Sequence, residues 1–302
     1  MENGYGINVP LQRFRSIPER IMPPIMDDIR WSVQSKLQRN SVELGDLFSI
    51  EQCIRIGSSA KRDTLITQSV PFKQSAEFHP VIDGEHIVPY CIHWGGEFLH
   101  YLPDQLYNPK STEVLHRSKI LMKRIASRLT AAYDSGTNGD FYYPLNTIYA
   151  LIEKDEIEVK PLYLVALLNS QLLDWSYKSL FAAIGIRGGY IEFREYLKFL
   201  ALRKIRFATQ EKQRTETVGT VTNNYVLGDI AAVLAWADAE LAAGRNDPLH
   251  DLLAYLAGQM ITLNKEKQAA VNAFWLDLEG VTDADTFDTL RNKGKWEQSL
   301  HK

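Results

Sequence analysis

Cysteine is scarce in this chain, long apolar runs are missing and no glycine-rich phosphate loop occurs, and each shortage closes off a class of protein. Only Cys53 and Cys91 are present among 302 residues. Two such separated thiols build neither a disulfide framework nor a CxxC metal pair, which fits a reducing compartment. No stretch approaches the roughly 20 apolar residues that a membrane-spanning helix needs. Met1 to Gly6 is polar and glycine-rich, unlike a secretory leader, so a cytoplasmic protein with no membrane partner is expected. Neither GxxxxGK[ST] nor a G-x-G loop after a strand occurs, which removes the usual cradles for ATP and nucleotide-like cofactors. Internal repeats and low-complexity tracts are absent from the sequence too.

What is present is an ordinary globular composition, 45% hydrophobic and 24% charged, enough for a sizeable core and two domains. The net charge of -3 is unevenly placed. Residues 216–302 hold 7 basic and 13 acidic side chains, which leaves the preceding part with an excess of positive charge. Within that part, Arg117, Lys119, Lys123, Arg124 and Arg128 stand close together with no acid among them. Ile120, Leu121 and Ile125 thread the run and are expected to bury one face while the cations face outward, which presents charge to a phosphate backbone. A merely solvated basic face explains the run equally well. A second positive stretch, Arg187 to Arg214, includes Arg194, Lys198, Arg203, Lys204 and Arg206.

Hydrophobic period divides the chain into four parts. Residues 1–40 open irregularly, then carry Ile25, Ile29, Val33 and Leu37 at helical spacing behind Pro24. From 41 to 209 short apolar runs alternate with turn residues. Strands are expected at Leu47 to Ile50, Thr64 to Thr67, Ile87 to Ile92, Phe141 to Tyr143 and Thr147 to Ile152, in a mixed sheet, with helices over Pro161 to Phe181 and Glu192 to Leu200. Residues 210–224 are polar and read as a linker. Residues 225–302 form an alanine- and leucine-rich helical part with helices at Val226 to Ala243, Pro248 to Leu263 and Glu266 to Leu278. The fold class expected is α+β: a mixed α/β unit with a β-rich core, followed by an all-α spacer or bundle.

The order of five blocks then carries a resemblance. VELGDLFSIEQCIRIGSSAKRDTLIT, VIDGEHIVPY, SKILMKRIASRLTAAYD, YLVALLNSQLLDWSYKSLF and GGYIEFREYLKFLALRKI, from Val42 to Arg206, look like the TaqI-like C-terminal specificity domain. Such domains are the target-recognition regions of restriction-modification adenine methyltransferases, similar in layout to type I specificity subunits. Two blocks depart from the family pattern: Cys53 stands where a glycine is usual, and Ala201 to Ile205 lacks the usual proline. The resemblance implies a module that grips double-stranded DNA opposite an N6-adenine methyltransferase domain or subunit, with a restriction subunit as a further partner. The chain has no Asn-Pro-Pro-aromatic motif to hold an extruded adenine; Asn108-Pro109 is followed by Lys110. No catalytic residue, metal or cofactor is therefore expected on this chain, and S-adenosylmethionine belongs on the catalytic partner. A separate recognition subunit and the C-terminal part of a larger enzyme both satisfy that reading.

Candidate DNA contacts follow from chemistry and position. Ser58, Ser59, Lys61 and Arg62 after Gly57 offer hydroxyls and cations in one loop, with Arg55 just before it. His86 lies in the Asp83-Gly84 turn. Lys119, Lys123, Arg124 and Arg128 are the phosphate candidates, and Tyr142, Arg187, Tyr190 and Arg194 complete the set. Two other classes stay open. The helices after Tyr225 suit a protein-docking scaffold, and Glu158-Val159-Lys160, with Asp104, Asp134 or Asp140 as further acids, resembles the acid-lysine pattern of metal-dependent nucleases. His79, His86, His93 and His100 recur every seven residues, but prolines and glycines between them forbid the helix that would make a metal stripe.

Overall fold

Capping and pattern set the elements. Leu11–Arg15 (α1) precedes Asp28–Gln38 (α2), which Asp27 caps by accepting from Arg30 N at 2.8 Å. Then follow Ser41–Glu43 (β1), Leu44–Leu47 (α3), Phe48–Gln52 (β2), Ser59–Leu65 (α4), Ile66–Thr67 (β3), Phe78–Ile82 (β4), Ile87–Val88 (β5), Cys91–Ile92 (β6) and Phe98–His100 (β7). Thr112–Leu115 (α5) leads into Lys119–Lys123 (β8), Ile125–Ala126 (β9), Ala131–Asp134 (β10), Tyr143–Pro144 (β11) and Ile148–Glu153 (β12). Pro161–Leu168 (α6), Gln171–Phe181 (α7), Ile191–Glu192 (β13) and Ala201–Arg203 (β14) come before Glu211–Val226 (α8), Ile230–Ala242 (α9) and Asp247–Val281 (α10). This is a computed structural model, and it describes residues 10–15, 17, 27–69, 77–136, 140–154, 158–181, 190–193, 195–226, 228–283 and 286–287. Residues 1–258 form one compact unit and 259–302 a second. No helix of the described residues is long and apolar enough to cross a membrane.

The first unit is mixed α/β, with sheets in its core and helices toward its C-terminal end. Its central sheet has the order β10-β8-β12-β2, antiparallel throughout. Strand alternation sends Ile120, Met122, Ala131 and Leu151 toward α6 and α7, and Leu121, Ala132, Ile148 and Ala150 to the opposite face with Ile82 and Ile87. A second sheet, β11-β4-β7-β3, contains one parallel pairing, β11 with β4, and encloses Ile54, Leu65, Val81, Leu99 and Tyr143. β1 pairs with β14, Ser41 opposite Arg203, so the chain leaves the β-rich part beside the point where it entered.

Several expected boundaries move. Of the strand expected at Thr64 to Thr67, Ile66 and Thr67 form β3 while Thr64 and Leu65 end helix α4, which Ser58 caps by accepting from Lys61 N at 3.3 Å. Ile87 to Ile92 is a tight hairpin that turns through Tyr90 at φ 71°. The helix expected over Pro161 to Phe181 breaks where the Asn169 amide bonds the backbone of Ala131 at 3.0 and 2.9 Å. Glu192 to Leu200 is a short strand and a 3-10 turn. Ile29 is 78% exposed, since α2 instead buries Gln34, which accepts from the Ser176 hydroxyl at 2.9 Å. Asn264 and Lys265 do not interrupt α10, which is continuous where two helices were expected.

Residues 210–224, read as a linker, lie almost wholly within helix α8. Thr215, Thr217, Thr220 and Thr222 bond back to carbonyls four residues earlier, which satisfies their hydroxyls inside the helix. Val218 and Val221 pack on Leu252, with Trp236 of α9 against them. A buried polar knot ties α8 to the start of α10. Asp251 accepts from Arg214 Nε at 2.9 Å and lies 3.1 Å from Lys160 Nζ, while His250 Nδ1 meets it at 2.8 Å. His250 Nε2 accepts from the Lys160 amide at 2.9 Å, which fixes the imidazole as the tautomer protonated on Nδ1. Asp247 accepts from the amides of Ala208 and Thr209.

Candidate nucleic-acid interface

The basic run does not fold as its sequence suggests. β8 is a central strand covered on both faces, so alternation has no solvent side to give the cations. Lys119 is 2% exposed: its Nζ lies 2.8 Å from Asp134 Oδ2 on the neighbouring strand and donates to Leu115 O at 2.9 Å. Burial lowers its pKa, and Asp134 pulls the other way. Lys119 is thus a buried structural cation and not a phosphate contact, while Ile125, expected in the core, is exposed.

From the end of β8 onward the cations Lys123, Arg124 and Arg128 meet different partners. Arg124 turns toward β13, with Nη2 at 2.6 Å from Glu192 and Nη1 donating to Asn146 O. Arg128 is exposed and donates to Asn169 O at 2.7 Å, at the break between α6 and α7. Lys123 is half-buried, which lowers its pKa, with Glu85 opposing. It lines a cavity of about 360 Å³ with Asp83, Gly84, Glu85, Ile125 and Thr147.

The turn beside that cavity is built as a bracket. Asp83 Oδ1 accepts from Gly84 N at 2.7 Å and from the Thr147 hydroxyl, and Asp83 Oδ2 takes Arg62 Nη1 at 2.9 Å. Burial would raise the Asp83 carboxyl, yet the bonds from Thr147, Gly84 and Arg62 outweigh it and hold it below its ordinary value. His86 Nδ1 accepts from Asp83 N at 2.8 Å, so this histidine closes a capping box. Arg62 and His86 are therefore already engaged within the fold. Tyr142 packs against the core with its amide on Asp134 Oδ2, and Tyr190 is half-exposed just before β13. Arg187 and Arg194 lie outside the described residues.

The other end of α4 is less committed. Arg55, Ser58, Ser59 and Lys61 are all exposed there. Lys61 Nζ donates to Gln105 O at 2.9 Å, and the Arg55 guanidinium lies over the ring of Tyr107 at 4.6 Å. Tyr107 carries no signal in the sequence, because one aromatic in an irregular segment has no period to mark it. Folding thus brings the exposed cations Arg55 and Lys61 to the segment that carries Tyr107, Arg55 over its ring and Lys61 on the carbonyl of Gln105.

The alternative chemistries find less geometry. Asp134 is spent on Lys119, and Lys160 on Asp251. Among the described residues no three His, Cys, Asp or Glu side chains are grouped to hold a metal ion. The four spaced histidines separate: His79 stacks on Tyr143 at 4.0 Å and His100 on Phe78 at 4.5 Å.

Residues 79–198 match the family model of the TaqI-like C-terminal specificity domain, so that part of the chain is similar to such a domain. The span runs from β4 through the 3-10 turn before β14, and leaves the first resembling block, with Arg55 and α4, outside it. No curated protein matches the sequence. Among solved structures, the crystal structure of the HsdS subunit from Thermoanaerobacter tengcongensis is similar at 14% identity and a TM-score of 0.33, over 76% of this chain and 49% of that one. The chain spans about half the length of that subunit.

Proposed function

We propose that this chain is the target-recognition module of a restriction-modification system, reading double-stranded DNA for an adenine methyltransferase carried on another domain or subunit. The observation that carries the reading is the specificity-domain match over residues 79–198. The exposed patch of Arg55, Ser58, Ser59 and Lys61 supports it, since hydroxyls and cations at one helix start position a protein on phosphates and base edges. The chain itself binds and orients. Methyl transfer, with S-adenosylmethionine, and any cleavage belong to partners, and the adenine is turned out of the stack on their side.

A fluorescence anisotropy titration of labelled duplex over a salt series tests the binding. Phosphate contacts from three side chains such as Lys61, Lys123 and Arg128 predict a slope of about -2.7 in log affinity against log salt, or about 40-fold weaker binding for a fourfold rise in salt. Duplex affinity indifferent to salt contradicts the reading. Loss of duplex binding together with capture of a partner by residues 225–302 turns it toward a docking scaffold.

A further inference from the structure

We propose that Arg55, held over the Tyr107 ring, reads a guanine in the major groove, so that one G·C pair is a fixed requirement of the DNA site this chain selects. The proposal rests on the duplex-reading function above and names the residue and base it uses.

The geometry is that of a prepared fork. Backbone bonds lock the two segments together: Arg55 N donates to Asn108 O at 3.2 Å, and Arg55 O accepts from Tyr107 N at 2.9 Å and Asn108 N at 3.1 Å. Gly57, at φ +116°, takes a turn that L side chains rarely adopt, and Lys61 ties the start of α4 back to Gln105. On this clamp Tyr107 stands 72% exposed with the Arg55 guanidinium carbon 4.6 Å from its ring centre. Arg62, Arg124 and Arg214 each face a carboxylate, whereas no described carboxylate or carbonyl takes up the Arg55 guanidinium.

An exposed aromatic on an irregular segment adds little to folding, but it fixes the direction of a flexible arginine. Orientation matters little for a phosphate contact, which a lysine such as Lys61 supplies as a point charge. It matters for a base edge, where the planar donors of arginine match the O6 and N7 acceptors of guanine together.

The test is selection by the full chain from a pool of duplexes with a randomised centre, followed by sequencing. The wild type is expected to enrich sites with guanine at one position. In Arg55→Ala and Arg55→Lys the preference for guanine there falls by about 10- to 100-fold while the other positions keep theirs. Tyr107→Ala moves the same position in the same direction, and Tyr107→Phe, which keeps the ring, retains it. Circular dichroism melting of each variant is expected to match the wild type, since both side chains are exposed. Weakening spread evenly over all sequences, with the salt slope reduced by about 1, would make Arg55 a phosphate contact and overturn the proposal. So would an unchanged selected site. Selection of nothing by the wild type would overturn both this proposal and the duplex-reading function, whereas a selected site indifferent to Arg55 removes only the former.

Discussion

Replacing Lys119 by alanine is expected to lower the folding free energy by about 3–5 kcal/mol, the usual cost of leaving one partner of a buried ion pair alone. Asp134, itself 3% exposed, would lose its cation and be left with the amides of Gly136 and Tyr142 as partners. Asp134→Ala is expected to cost a similar amount, and joint replacement by apolar residues of like volume to recover most of it. Urea unfolding monitored by tryptophan fluorescence measures all three. A loss under 1 kcal/mol in both single variants would mean that β8 presents Lys119 to water, as the basic run first suggested.

The second large effect is expected at the knot between α8 and α10. Asp251→Ala leaves Arg214, 8% exposed, and Lys160 without their shared carboxylate, and should also cost about 3 kcal/mol or more. Burial alone would raise the Asp251 carboxyl, but hydrogen bonds from Arg214, Lys160 and His250 outweigh it and keep it below its ordinary value. His250 moves down as well: burial disfavours its charge, with Lys160 and Arg214 adding to that against the pull of Asp251. A folded imidazole with a lowered pKa binds its proton later than the unfolded one, which titrates near 6.5. Its contribution is therefore complete above that pH and is lost as pH falls from there through the folded value. Asp251 adds a loss in the same direction at lower pH, below 3.8. The melting temperature should thus drop between pH 7 and pH 5, and drop less in His250→Asn, whose amide cannot take up a proton. An equal drop in both proteins would contradict this account of the knot.

Local signals in the sequence carried far, and non-local ones did not. The apolar spacing behind Pro161 announced helix over Pro161 to Phe181, and the short apolar run from Thr147 to Ile152 announced a strand. The break at Asn169 was invisible because it depends on Ala131, a residue of another strand. Lys119 misled for the same reason: its burial is decided by register, which sets Asp134 opposite it and packs a second layer over β8. The threonines of α8 suggested a polar linker, and only packing of Val218 and Val221 on Leu252 makes a helix worthwhile there. At the candidate interface, Ser58, Ser59 and Lys61 were legible as a polar loop after Gly57, with Arg55 just before it. Tyr107 was not, since its meaning comes from a bridge between Arg55 and Asn108 that no short motif encodes.

The central claim is that the duplex lies against the exposed start of α4 and the segment carrying Tyr107. Amide hydrogen exchange with and without a saturating duplex, read by mass spectrometry, addresses it directly. Slowed exchange in peptides covering 55–62 and 105–110, and in those reaching Lys123 and Ile125, is the result expected. Slowed exchange confined to residues 211–281, with the β-rich part unchanged, would contradict it.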